Sequence, residues 1–118
     1  MPHSKANYIH KKSFSKKFIQ LKSKPANDKQ VGLAKYSSLK QNQGMLFRYP
    51  TKGNYQFWMK DMKFDIDIVW ITDNKVMGIN RGEFKDPLKL IDPPVLVDTI
   101  IEVNPNSGIQ VGDLVSFR

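Results

Sequence analysis

The chain is punctuated too often to fold as long helices. From Gly44 onward its apolar runs are cut by Pro50, Gly53-Asn54, Asp73-Asn74, Pro87, Pro93-Pro94 and Gly112-Asp113. Runs this short, recurring about every 10–15 residues, read as strands joined by turns. Met45-Leu46-Phe47-Arg48-Tyr49 is the first, and Pro50 is predicted to stop it because proline has no amide for a ladder. Thr51-Lys52-Gly53-Asn54 reads as a turn, followed by a strand over Tyr55-Gln56-Phe57-Trp58-Met59-Lys60. Ile66, Ile68 and Trp70 then alternate with Asp65, Asp67, Val69 and Ile71, and Asp73-Asn74 turns the chain into Lys75-Val76-Met77-Gly78-Ile79. The stretch from Gly78 to Asp98 is too rich in proline for continuous sheet. Asp98 to Val103 and Asp113 to Phe117 read as two further strands.

Upstream, Lys16 to Lys24 places Ile19 and Leu21 against polar neighbours, the pattern of a half-exposed strand. Asn27 to Tyr36 reads as one short helix: Asn27 can cap it, Gln30 stands at the third helical position, and Val31 and Ala34 point inward. Gly32 weakens that helix by about 1 kcal/mol relative to alanine unless a neighbour packs too close for a methyl group. The expected fold is therefore mostly β with one short helix, a single barrel-like domain of six or seven short strands.

At 118 residues there is room for one core, burying roughly 65% of the surface the unfolded chain exposes. The net charge of +8 suggests nucleic acid or lipid as a partner, but its distribution argues otherwise. Residues 1–24 hold seven lysines and no acid, leaving 12 basic against 11 acidic residues in the rest. Residues 1–15 are thus expected to be a flexible basic leader ahead of one β-rich domain at 16–118. Through Lys11, Lys12, Lys16 and Lys17 that leader is a weak candidate for contact with anionic lipid or nucleic acid. No apolar run approaches the about 20 residues that span a bilayer, and none follows the basic start as in a secretion signal. The expected compartment is the cytoplasm, or an exported location if a signal has been removed.

There is no cysteine, which excludes disulfides, thiolate zinc sites and a cysteine nucleophile. Histidine occurs only at His3 and His10, outside the expected domain. No phosphate loop, dinucleotide fingerprint, serine elbow or metalloprotease helix is present, so no cofactor and no metal are expected.

The ordered strings Gly44-Met45-Leu46-Phe47, Phe57-Trp58-Met59-Lys60, Asp67, Ile101-Glu102-Val103 and Gly112-Asp113 resemble the pattern of the small proteins grouped as domain of unknown function 192. The resemblance spans about residues 16–118 and implies a β-barrel-like fold with a packed helix, without carrying an activity. Gly32-Leu33-Ala34 stands where that family has a helical Gly-Leu-Met, which implies a close-packed glycine. Asp61-Met62 replace the family's Asn-Thr, Asp65 replaces a proline, and Asn104-Pro105-Asn106-Ser107 departs from its usual turn.

Trp58, Lys60, Asp61, Asp67 and Glu102 are the candidate ligand-binding residues; no catalytic residue is assigned. On an extended strand Asp65 and Asp67 share a face about 7 Å apart, a separation suited to flanking a scissile bond or holding a hard cation. The plainer alternative is a solvated strand face, with Asp67 accepting amides or pairing with Lys60. Glu102 reads as an inward or rim carboxylate; if buried it needs a cation, and Lys60 or Arg48 is the nearest by type. Among the clustered aromatics, Phe47, Phe57 and Trp70 are expected in the core, while Trp58 suits either core or a binding surface. Three readings stand open: a non-catalytic binding module for a carbohydrate, peptide or small polar ligand; a carboxylate-based or metal-assisted hydrolase using Asp61, Asp67 and Glu102; and a structural or interaction protein. A monomer is assumed.

Overall fold

Among the strands with described side chains in the computed structural model, the most deeply buried is Val97–Val103, and five of its seven residues are β-branched. The structure describes residues 4–10, 16–24, 37–40 and 42–117, the first two segments by their backbone alone. In chain order the strands are β1 (Ser4–His10), β2 (Lys16–Lys24), β3 (Gln43–Gly53), β4 (Ile66–Thr72), β5 (Lys75–Gly82), β6 (Val97–Val103) and β7 (Leu114–Ser116). No helix occurs among the described residues, and the helix expected over Asn27 to Tyr36, with Gly32, lies outside them, as do Lys11 and Lys12.

A curled sheet in the order β3–β6–β4–β5–β7 is completed by β1 and β2 into a closed barrel. Every neighbouring pair is antiparallel except β2 and β3. β2 coincides with the strand expected over Lys16 to Lys24, and Lys16 and Lys17 pair with His10 and Ile9. β1 lies within the segment 1–15 expected as a leader and pairs with both β2 and β7. The barrel-like, mostly β architecture is as the alternation and punctuation predict.

Strand pleating sorts the apolar residues into two clusters. On one face Leu46, Val69, Ile71, Ile101 and Val103 meet Val76, Ile109 and Val115. On the other, Met45, Phe47, Ile68, Trp70 and Ile100 meet Phe57, Met59 and Ile91 from the long connections. Ile66, Ile68, Ile71 and Ile100 are fully buried, each contributing about 2 kcal/mol relative to an exposed position. β4 and β6 are thus covered on both sides, as their near-continuous apolar runs require.

Two expectations for the chain between Pro50 and Lys60 are overturned. β3 continues through Pro50 to Gly53, but its register with β6 is broken between Arg48 and Gly53, so the proline occupies a stretch where no β6 partner needs its missing amide. Tyr55 to Lys60 is not a strand; among the described residues its one bridge joins Phe57 to Ile91, which lies in the connection between β5 and β6. Its alternation is nevertheless real, since Phe57 and Met59 are buried while Gln56 and Lys60 are exposed. What it lacks, among the described residues, is a neighbouring strand to complete a ladder.

The turns follow their sequence chemistry. Asp73 and Asn74 both have positive φ, 50° and 64°, the two-residue hairpin turn whose twist matches the flanking strands. Gly112, at φ 94°, and Asp113 bring β7 to β5: Gly112 N donates to Val76 O at 2.8 Å and Val76 N donates to Asp113 O at 2.9 Å. The fully buried Asp113 carboxylate accepts from Gln110 N at 2.8 Å, closing the loop around itself. In the divergent turn, Asn106 has φ 66° and Gly108 φ 86°, and the Ile109 amide donates to Ser107 Oγ at 3.2 Å.

Candidate functional site

The extended segment from Tyr55 to Lys60 is pinned to the second cluster by every other side chain. Tyr55 stacks on Tyr49 with ring centres 3.6 Å apart and nearly parallel planes. Phe57 tilts against Phe47 at 5.3 Å and stands edgewise to Trp70 at 6.0 Å. Met59 is buried against Gly82, where a Cβ would lie 2.5 Å from Met59 Sδ, so only glycine lets the segment settle this close to β5.

The intervening side chains, Gln56, Trp58 and Lys60, are thereby left on the outer side. Trp58 lines a shallow cleft of about 160 Å³ with Gln56, Phe57 and Leu90. The Lys60 ammonium lies 5.4 Å from the centre of the Trp58 ring, a cation–π contact at an exposed position. Gln56 donates its side-chain amide to Asp92. Asp61 is exposed in the turn closed by Met62 N donating to Met59 O at 3.0 Å, with φ 65°. Asp and Asn tolerate that left-handed conformation better than most residues, which accounts for either at this position.

Asp67 and Glu102 stand elsewhere, and on opposite faces. β4 and β6 pair Asp67 with Val103 and Ile68 with Glu102, so pleating turns the two carboxylates to different sides of the sheet. Asp67 accepts from Arg81 Nε at 2.8 Å, its direct cross-strand partner on β5, not from Lys60. That hydrogen bond pushes the Arg81 guanidinium pKa up. Asp65 accepts from Phe84 N at 3.0 Å. Glu102 is 5% exposed between Met45 and Ile68, and burial pushes its carboxyl up to about 8. Neither cation suggested for it is its partner: Arg48 lies 4.6 Å from the Phe117 ring centre and Lys60 lies over Trp58. Tyr49 is pushed up as well, first by burial and then by the charges of Tyr55 and Glu102.

Of the five candidates, then, Trp58 and Lys60 form one site with Asp61 in the adjoining turn, while Asp67 and Glu102 belong to two other environments. Leu90 and Gln56 complete the cleft and were not singled out by sequence reasoning; the exposed Leu88-Lys89-Leu90 run in the proline-rich excursion was the available signal. Among the described residues, no three acidic or histidine side chains are grouped to hold a metal ion. Phe47, Phe57 and Trp70 are core, as expected, and Trp70 Nε1 donates to Asn80 Oδ1 at 2.7 Å.

The model of the family described as Uncharacterized ACR, DUF192, matches residues 12–117. This chain belongs to the DUF192 family. No curated protein is significantly similar to it in sequence. Two crystal structures share the DUF192 fold of this chain at 18% identity. One, from Sinorhizobium meliloti 1021 and named as a candidate transcription regulator, has a TM-score of 0.90 and covers 98% of this chain and 95% of its own. The other, a protein of unknown function from Novosphingobium aromaticivorans DSM 12444, has a TM-score of 0.88 and covers 99% and 93%. At that identity the likeness carries the fold alone. The glycine and aromatic strings of the DUF192 pattern fall where this fold needs them: Met45 to Phe47 in the two cores, Phe57 and Met59 pinning the outer segment, Gly112-Asp113 joining β7 to β5.

Proposed function

We propose that this DUF192 chain is a non-catalytic binding domain whose ligand contact is the Trp58 cleft. The observation that carries the reading is that Trp58 is half-buried in a concavity, with an apolar neighbour in Leu90, a cation in Lys60 and an amide in Gln56. An indole at a cleft edge offers a large, rigid apolar face together with an N–H donor, which suits it to contacting a ligand. A hydrolytic reading needs two carboxylates about 5–9.5 Å apart across a shared cleft. Asp67 and Glu102 face opposite sides of the sheet, and Asp67 is engaged with Arg81, which favours binding over hydrolysis.

Screening glycans, peptides and small anions by thermal shift tests the proposal. A hit is expected to be lost in Trp58→Ala, with the unliganded variant still folding cooperatively and melting about 4–10 °C below the parent, as truncation of a half-buried indole costs about 1–2 kcal/mol. Hits that survive Trp58→Ala, or a screen without hits, overturn it.

A further inference from the structure

We infer that the ligand of the Trp58 cleft is an extended polypeptide segment that adds as a strand along Gln56 and Trp58, an inference resting on the binding role proposed for that cleft. The segment from Tyr55 to Lys60 has the side-chain alternation of a strand but, among the described residues, a bridging neighbour at one point only. Phe57 spends both backbone groups on Ile91, its N–H donating to Ile91 O at 3.0 Å and its C=O accepting from Ile91 N at 2.8 Å. In an extended chain the backbone groups on either side of such a pair turn to the opposite edge. Those belong to Gln56 and Trp58, and neither residue makes a backbone–backbone hydrogen bond to any described residue. Two N–H and two C=O groups spaced two residues apart are what an incoming strand pairs with.

The side chains beside that edge fit the same occupant. The cleft walled by Trp58 and Leu90, the latter 57% exposed, is sized for one apolar side chain. Lys60, two residues along, and the exposed Lys89 beside Leu90 favour an acidic residue next to that apolar one. A sugar is served less well: the Lys60 ammonium already lies over one face of the indole, and one Gln56 amide hydrogen is already donated to Asp92.

The test uses the full chain, isotopically labelled for amide NMR, and unstructured decapeptides flanked by glutamate with each residue type in turn at the centre. The tightest peptide is then N-methylated at odd or at even positions. Strand addition is expected to shift and protect the Gln56 and Trp58 amides. N-methylation in one phase is expected to weaken binding at least about fivefold, from the lost backbone bonds, and in the other phase to leave it unchanged. Lys60→Glu weakens the acidic peptide while melting like the parent. Binding indifferent to N-methylation, or shifts away from this edge, overturns the inference. A maltohexaose titration run alongside separates the levels: sugar binding lost in Trp58→Ala, with no peptide bound, overturns strand addition but leaves the cleft a binding site, whereas no binding of either overturns both. Shifts at Gln56 and Trp58 on raising protein concentration alone assign the edge to a second copy of the chain and also overturn it.

Discussion

Glu102 illustrates what one residue can do to the pH response of the whole chain. Its carboxyl is pushed from an ordinary 4.5 up to about 8 by burial, with no described cation or hydrogen bond offsetting the loss of water. Between those values the folded protein holds a proton that the unfolded chain has released. Rising pH therefore favours unfolding, by about 1.4 kcal/mol per pH unit across that window. The contribution is fully present below pH about 4.5 and is lost as pH passes through about 8. Urea unfolding at intervals from pH 5 to 9 is expected to show this decline in the parent relative to Glu102→Gln, which keeps the shape without the titration. Equal slopes in both proteins would exclude Glu102 as the source. The sequence left this residue as an inward or rim carboxylate; it is buried because both faces of β6 are covered, Ile101 and Val103 packing on one and Glu102 lying beside Met45 and Ile68 on the other. Its isolation from described cations was not legible in the sequence, because residue type says which charges could pair and only the strand register says which do: Arg81, unnoticed in the sequence, is what stands across from Asp67.

At the scale of elements, the Tyr55 to Lys60 segment shows why a strand pattern does not make a strand. Alternation reports that one side of an extended chain is buried, which holds here, but a ladder also needs a neighbour within hydrogen-bonding distance, and among the described residues only Ile91 supplies one. The segment stays extended because side chains fasten it, chiefly Met59 seated over Gly82. Gly82→Ala is expected to cost about 1–3 kcal/mol, the range for overpacking a tight core, since the new methyl group meets Sδ, Cε and Cγ of Met59 together. In a Met59→Ala background most of that cost should vanish, and a double-mutant cycle by chemical denaturation reads the coupling. An additive cycle would mean that Gly82 is needed for some other reason. The hairpin at Asp73-Asn74 and the strands at Lys16 to Lys24 and Ile66 to Thr72 were legible because local chemistry alone decides them. The continuation of β3 past Pro50 was not, since a proline's tolerance depends on whether a partner strand lies opposite it.

For the molecule as a whole, closure of the barrel at β5 and β7 rests on a single paired position, Lys75 with Leu114, reinforced by the Gly112-Asp113 turn. Asp113→Ala leaves the Gln110 amide without its carboxylate acceptor and is expected to destabilise the fold by about 1–3 kcal/mol. Hydrogen exchange is expected to accelerate at Val76, whose amide donates to Asp113 O, more than at Ile100 in the middle of β6. Uniform acceleration at both would mean that the turn supports global stability without gating the seam. The sequence by itself determined the class of fold and its family, because alternation, turn residues and the absence of cysteine are local properties that survive any arrangement in space. It also placed Trp58 and Lys60 together, since residues two apart on an extended chain share a side. It took the assembled sheet to turn Asp67 and Glu102 apart, to bring Leu90 into the cleft, and to leave Gln56 and Trp58 without a paired strand among the described residues. Those are matters of register and of contacts between distant segments, which are set by packing of the complete sheet and not by any stretch of it.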